Sequence, residues 1–231
     1  MHHPSKFLLL HGAGGTRSKW RRLLQTEVGS ECIAVDLPGH GSNHGLVPKT
    51  ISDYAAIISS DLAEDVVVVG HSMGGLIGIE LAAMNPHVRG LVLVASHARL
   101  PVGESVLTAL QQGEFPDGLF YASYAKSVDP GLLEEERGEL GLVSSATAHT
   151  DFAACHAYDG ELTFSRLDIP ILAVYGAQDR LLPKDAKTRL QTLNTHVMAR
   201  DIPQCGHYIM LERPEELADA LQSFGGARRS R

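Results

Sequence analysis

Four consecutive valines, Val66-Val67-Val68-Val69, run into Gly70-His71-Ser72-Met73-Gly74-Gly75 and then into the apolar stretch Leu76-Ile77-Gly78-Ile79. The apolar run reads as a strand that enters the turn, and the apolar stretch after the turn reads as a helix. The chain must then reverse within one turn and start a helix. A turn that sharp forces backbone angles on Ser72 that side chains rarely adopt. Gly70 and Gly74 are needed because a side chain at either place would strike the neighbouring strand or helix. The Gly-x-Ser-x-Gly spacing therefore predicts a hydroxyl held clear of the sheet, at the positive end of a helix.

The rest of the chain repeats the strand-then-helix alternation of an α/β fold with a mostly parallel sheet. Strands are expected at 7–10, 31–35, 66–69, 91–95, 171–175 and 197–202. Helices are expected from Thr16 or Ser18 to near Gly29, from a Thr50/Asp53 cap to about Ala63, and directly after Ser72. Between 97 and 165 the strand rhythm stops, and 104–111 and 132–140 read as helices. The expected division is thus a core of 1–96 and 166–231 interrupted by a helical insertion at 97–165. With 231 residues, 44% of them hydrophobic, the chain is long enough for one sizeable core of this type.

A serine hydroxyl becomes a good nucleophile only when a neutral imidazole takes its proton. A buried carboxylate must in turn orient that imidazole and stabilise its charged form. Downstream of Ser72, the loop Gly176-Ala177-Gln178-Asp179-Arg180 follows a strand, and Asp179 is its first carboxylate. His207 stands in Gln204-Cys205-Gly206-His207-Tyr208, after the last strand. Asp185 and Asp168 compete for the acid role, whereas the end of the preceding strand reads Ala95-Ser96-His97, with no acid. Acyl transfer also needs donors for the oxyanion. The strand Phe7-Leu8-Leu9-Leu10 enters His11-Gly12-Ala13-Gly14-Gly15, whose glycines leave amides uncovered, so the hole is assigned to the amides of Ala13 and Met73. The same glycines lack the Gly-x-Gly-x-x-Gly spacing and the following Lys-Ser/Thr of a phosphate cradle.

Together with Asp36-Leu37-Pro38-Gly39-His40-Gly41 and Pro214-Glu215-Glu216-Leu217, these motifs resemble the α/β-hydrolase family over nearly the whole chain. The resemblance implies a mostly parallel sheet, a mobile cap at 97–165 and ester-type hydrolysis. The family's fullest form has two strands before the His-Gly strand, and only six residues precede Phe7, so six strands are expected. The leading expectation is a serine hydrolase acting on a small, uncharged carboxylic ester through an acyl-enzyme on Ser72. Lactones and thioesters share this chemistry. A carbon–carbon bond hydrolase and a ligand receptor retaining the triad also fit these residues. Dehalogenases and epoxide hydrolases of the same fold use an aspartate nucleophile, which Ser72 replaces.

Composition narrows the setting. A formal net charge of −7 argues against nucleic acid as partner. The first six residues carry no apolar signal core, and no segment approaches a membrane span. Three cysteines (Cys32, Cys155, Cys205) cannot all pair, which fits reduced thiols in a cytoplasm. His40 and His44 share helical spacing but lie among Pro38, Gly39, Gly41 and Gly45, so neither a metal site nor a cofactor is expected. The basic end from Arg228 is expected to be a frayed tail. The insertion holds eleven acidic side chains against Arg99, Lys126 and Arg137. Its field should repel anionic substrates, with Glu134 to Glu136 expected on a solvated helix face. Phe115, Leu119, Phe120, Tyr121, Tyr124, Phe152 and Tyr158 are expected to line a pocket, with Arg99 close enough to reach it.

Overall fold

The computed structural model describes residues 6–229. The expected signal-free start at 1–5 and the last two residues of the expected tail lie outside the described residues. Six strands form one sheet: β1 (Lys6–Leu10), β2 (Cys32–Val35), β3 (Val66–His71), β4 (Val88–Val94), β5 (Ile171–Gly176) and β6 (Val197–Ile202). Their order is β2-β1-β3-β4-β5-β6, and every neighbouring pair is parallel. The sheet is therefore wholly parallel.

The helices are α1 (Ile51–Asp61), α2 (Met73–Met84), α3 (Glu104–Gln111), α4 (Asp117–Ala122), α5 (Pro130–Glu139), α6 (Ser145–Ala157), α7 (Glu161–Ser165), α8 (Ala186–Leu193), α9 (Ile209–Glu212) and α10 (Pro214–Arg229). Helices α3 to α7 all fall between β4 and β5, with α3 packed on α6. Side chains alternate across each strand and so build two cores. Leu8 and Leu10 face the layer of α1 and α2, while Phe7 and Leu9 face Trp20, Leu23 and α10. Leu76, Ile77, Ile79 and Leu81 of α2 are fully buried, and each stabilises the fold by about 1.5–3 kcal/mol.

The strand order places the site. Growth of the sheet reverses between β1 and β3, and the crevice outside the carboxyl ends of the strands at such a switch point is where ligands bind in open α/β sheets. Leu10 pairs with Gly70, so the glycine turn after β1 lies beside the serine turn after β3. Likewise Gly176 pairs with Ile202, which sets the Asp179 loop beside the segment leading to His207.

Two expectations need correction. The segment from Thr16 to Gly29 is not one helix but three 3-10 turns, Arg17–Trp20, Leu23–Gln25 and Glu27–Glu31. Thr26 breaks it: its backbone is extended, and its hydroxyl donates to the Leu23 carbonyl at 2.7 Å, taking an acceptor the next helical turn would use. At the other end α10 continues through Arg228 and Arg229, in place of the expected frayed tail. The Thr50 cap is as expected, its hydroxyl oxygen accepting from the Asp53 amide at 3.1 Å. Among the described residues, no helix is long and apolar enough to cross a membrane.

Candidate active site

Ser72 sits at φ 50° and ψ −117°, between the last residue of β3 and the first of α2. This is strained backbone for a residue with a side chain, and it persists because its surroundings fix it. The Ser72 amide donates to Val94 O at 3.0 Å, and Ser72 O accepts from the Gly75 amide at 2.9 Å. A Cβ on Gly70 would lie 2.2 Å from Gly74 O, and one on Gly74 would lie 2.3 Å from Leu10 O, so both positions admit only glycine. The Ser96 hydroxyl adds a further bond, donating to Ser72 O at 2.7 Å. In the sequence Ser96 registers only as the absence of an acid at the end of β4; nothing in its neighbours marks it as a support of the turn.

The glycine turn is oriented just as firmly. His11 Nδ1–H donates to Gly12 O at 2.9 Å, the Gly15 amide donates to the same oxygen at 3.1 Å, and His11 Nε2 accepts from the Leu37 amide at 3.1 Å. Burial, with repulsion from His40, lowers the pKa of His11 to about 4, so the ring is neutral and can hold both roles. A trans peptide points its C=O and N–H in opposite directions. Two donors on Gly12 O therefore fix the direction of the Ala13 N–H. Among the described residues, the Ala13 amide has no backbone acceptor, and that of Met73, at the first turn of α2, has none within its helix. The 36–41 loop packs beside this turn, as expected, through the Leu37 bond.

Asp179 and His207 meet where the loops after β5 and β6 lie side by side. His207 Nδ1 lies 2.8 Å from Asp179 Oδ2, and the donor on that side leaves Nε2 as the free acceptor. Asp179 also accepts from the amides of Leu181 at 2.8 Å and Leu182 at 3.4 Å. Burial alone would raise the Asp179 carboxyl, but the attraction and hydrogen bond of His207 and the two amides outweigh it and hold the carboxyl below its usual range. The His207 amide donates to Ser123 O at 2.7 Å, tying this loop to the insertion. The competing acids lie elsewhere: Asp185 precedes α8, and Asp168 is almost fully exposed beside His196. His71 packs on the His207 ring at 4.8 Å; burial and the nearness of His207 push its pKa well down, which keeps a second cation away from the imidazole.

Ser72, His207 and Ala13 line one cavity of about 520 Å³, within the usual size range of small-molecule sites. Within it the His207 ring is bonded to Asp179 and not to Ser72, a bond that commonly tightens only when substrate arrives. The cavity's other walls are mainly apolar, among them Leu100, Val106 and Leu182.

The expected pocket lining is only partly found. Leu119 and Phe152 line the cavity, as do Cys155 and Arg99. Phe115 opens onto a separate cleft, Phe120 and Tyr121 pack under Arg137, Tyr124 stacks on Tyr208, and Tyr158 donates to Glu80. Aromatic composition reveals that rings are present but not which way they face. Nor is Glu136 on a solvated face. It is fully buried, 2.5 Å from Lys19 Nζ and 2.7 Å from Arg21. His40 binds Pro38 O and Asp151, and His44 is exposed. Cys205 is buried and unpaired, and burial pushes its thiol up, away from a nucleophile's range.

Sequence and structure comparisons agree with this architecture. A pimeloyl-[acyl-carrier protein] methyl ester esterase of Neisseria meningitidis serogroup B is 32% identical over 197 residues, 77% of this chain and 76% of that protein. A solved thermophilic esterase shares 27% identity with a TM-score of 0.83, covering 95% of this chain and 88% of its own. A lipase-esterase related protein from Clostridium acetobutylicum, 20% identical, shares the fold with a TM-score of 0.85 over 96% of this chain and 94% of that one. The alpha/beta hydrolase family model matches residues 7–220, from β1 into α10. A match of that extent, on a sheet whose switch point carries the serine turn, settles the classification: the chain belongs to the α/β hydrolase family.

Proposed function

We propose that the protein is a serine hydrolase that cleaves a small carboxylic ester, uncharged around the scissile bond, through an acyl-enzyme on Ser72. One observation carries the reading: the 2.8 Å His207–Asp179 pair opens onto the same cavity as Ser72 and the Ala13 turn. His207 Nε2 takes the hydroxyl proton as Ser72 Oγ attacks the carbonyl carbon. The oxyanion forms against the Ala13 and Met73 amides, donors that need no reorganisation and are worth several kcal/mol in the transition state. Collapse expels the alcohol, which leaves with the proton from His207. Water then enters and gives a proton to the same nitrogen as its oxygen attacks the acyl carbon; collapse breaks the bond to Ser72 Oγ, which takes that proton back, and the acid is released. Asp179 holds the imidazole in the tautomer this sequence needs and stabilises its charged form.

Relatives named methyl ester esterases support an ester with a small alcohol as leaving group. The mainly apolar cavity supports a neutral reacting part, with Arg99 at its wall already paired to Asp159 at 3.2 Å. In this reading the 97–165 segment is the cap over the site. Three unpaired cysteines support a reducing, cytoplasmic setting. The test is a panel of p-nitrophenyl esters, lactones and thioesters against the protein and Ser72→Ala. The esters should be turned over repeatedly, and Ser72→Ala should lower kcat by about 10³-fold or more. Full activity in the variant would refute the assignment.

A further inference from the structure

Asp151 stands on α6, in the insertion, and its side chain is fully buried. The acyl-transfer steps do not use it. Yet it accepts three hydrogen bonds, each from a separate part of the core: the Gly14 amide at 2.8 Å, His40 Nε2 at 2.8 Å and the Tyr54 hydroxyl at 2.7 Å. A buried carboxylate must be fully partnered to be tolerated, and this one is satisfied entirely by groups outside its own helix. The first of them is the peptide next to the Ala13 amide.

The turn around that amide is closed from both sides. The Gly12–Ala13 peptide is held through Gly12 O by His11 and Gly15, and the Ala13–Gly14 peptide is held through its N–H by Asp151. Gly14 has φ +63°, a conformation open to rotation in glycine, and a Cβ there would meet the Ala148 Cβ of α6 at 3.3 Å. Helix α6 thus seats directly on the turn, with its carboxylate as the anchor. His40, also bonded to Pro38 O, braces the carboxylate from behind, and Tyr54 holds its second oxygen.

Resting on the proposed esterase reading, we infer that Asp151 is a positioning residue for the oxyanion hole: the insertion, through this carboxylate, fixes the turn that presents the Ala13 amide. The oxyanion exists only in the transition state and the tetrahedral intermediate. A loosened turn must therefore lower kcat and leave ground-state binding nearly untouched. A support that merely held the insertion in place would act on KM, through the cavity wall formed by Phe152 and Cys155 of the same helix.

The experiment compares the parent enzyme with Asp151→Ala, Asp151→Asn and Glu136→Gln, using a neutral p-nitrophenyl ester and phenylboronic acid. The boronic acid becomes a charged tetrahedral adduct on a serine hydroxyl. Asp151→Ala should lower kcat about 10- to 100-fold, less than or equal to deletion of a whole oxyanion donor, with KM within about threefold. Boronate affinity should fall by the same factor as kcat. Asp151→Asn keeps an acceptor for Gly14 but loses its charge, and should fall between the two, about 3- to 10-fold down in kcat. Glu136→Gln breaks the other buried carboxylate of the insertion without touching the turn, and should keep kcat. The inference is overturned if Asp151→Ala changes KM while kcat and boronate affinity stay at parent values, or if Glu136→Gln lowers kcat as much. If Asp151→Ala does not fold, Asp151→Asn decides alone, and parent-level kcat in it overturns the inference. Parent activity that does not depend on Ser72 would instead refute the esterase reading itself.

Discussion

The core and the 97–165 insertion contribute to the same cavity by different physical means. In the core, the Ser72 and Ala13 turns are bounded mainly by backbone groups of their own segment and of the adjoining strands and loops. Gly70 and Gly74 flank Ser72 because backbone oxygens lie where their side chains would be, and Gly12 O is held by residues one before and three after it. In the insertion, the decisive groups are single buried carboxylates on otherwise ordinary helices: Asp151 on α6 and Glu136 on α5. Their partners are 97 to 137 residues away for Asp151 and 115 to 117 for the Lys19 and Arg21 pairs of Glu136. In the core the proposed chemistry rests on backbone packing between adjoining turns and strands, and the insertion acts through buried carboxylates bonded across long stretches of chain.

If that contrast holds, damage to the core should appear in catalysis and damage to the insertion's clamps mainly in stability, Asp151 excepted. The largest effect belongs to Asp179→Asn. An amide there can hold His207 in the wrong tautomer and cannot stabilise the imidazolium, so kcat should fall by about 10³- to 10⁴-fold, while Asp185→Asn stays close to the parent. Steady-state kinetics on one aryl ester checks both. A greater loss in Asp185→Asn would move the acid. The pH profile sharpens the same point. Because the Asp179 carboxyl is held below its usual range, an acid-side fall of kcat/KM should not follow an ordinary carboxylate but should mark the loss of the general base. A profile flat through the acid side would contradict a histidine base.

Glu136→Gln tests the insertion. It strips the buried Lys19 ammonium of its carboxylate, and a broken buried pair costs about 3 kcal/mol or more. Thermal or urea unfolding should show that loss, with kcat of the folded enzyme unchanged. Equal stability would mean that Tyr124, which donates to Glu136 at 3.0 Å, and Arg21 suffice without the charge. The smallest effect is Thr50→Ala at the N-cap of α1, which removes a helix cap that lines no part of the cavity. It should cost about 1 kcal/mol in an unfolding experiment and nothing in activity.

The same contrast explains what could be read from the sequence. Six strands and the placement of Ser72, Asp179 and His207 on adjacent loops follow from apolar runs and glycine spacing, signals confined to a few residues each. Helix 104–111 is found as expected, since its ends are set locally. What escaped depends on distance or on competition. Glu136 reads as one of three consecutive glutamates, and only the arrival of Lys19 and Arg21 sets it apart. Asp151 lies in a helix whose pattern gives no hint of a buried anion. The helix expected after Thr16 fails because Thr26 offers the Leu23 carbonyl a side-chain partner, and periodicity is blind to that competition.

The central claim is that the strained turn at Ser72 presents the reacting nucleophile. The direct measurement is covalent labelling with a fluorophosphonate, followed by mass spectrometry of the digested protein. The account predicts one label per chain, on Ser72, absent from Ser72→Ala, and forming more slowly as the pH is lowered. A label on Cys205 or any other side chain, or ester turnover that survives in Ser72→Ala, would contradict it.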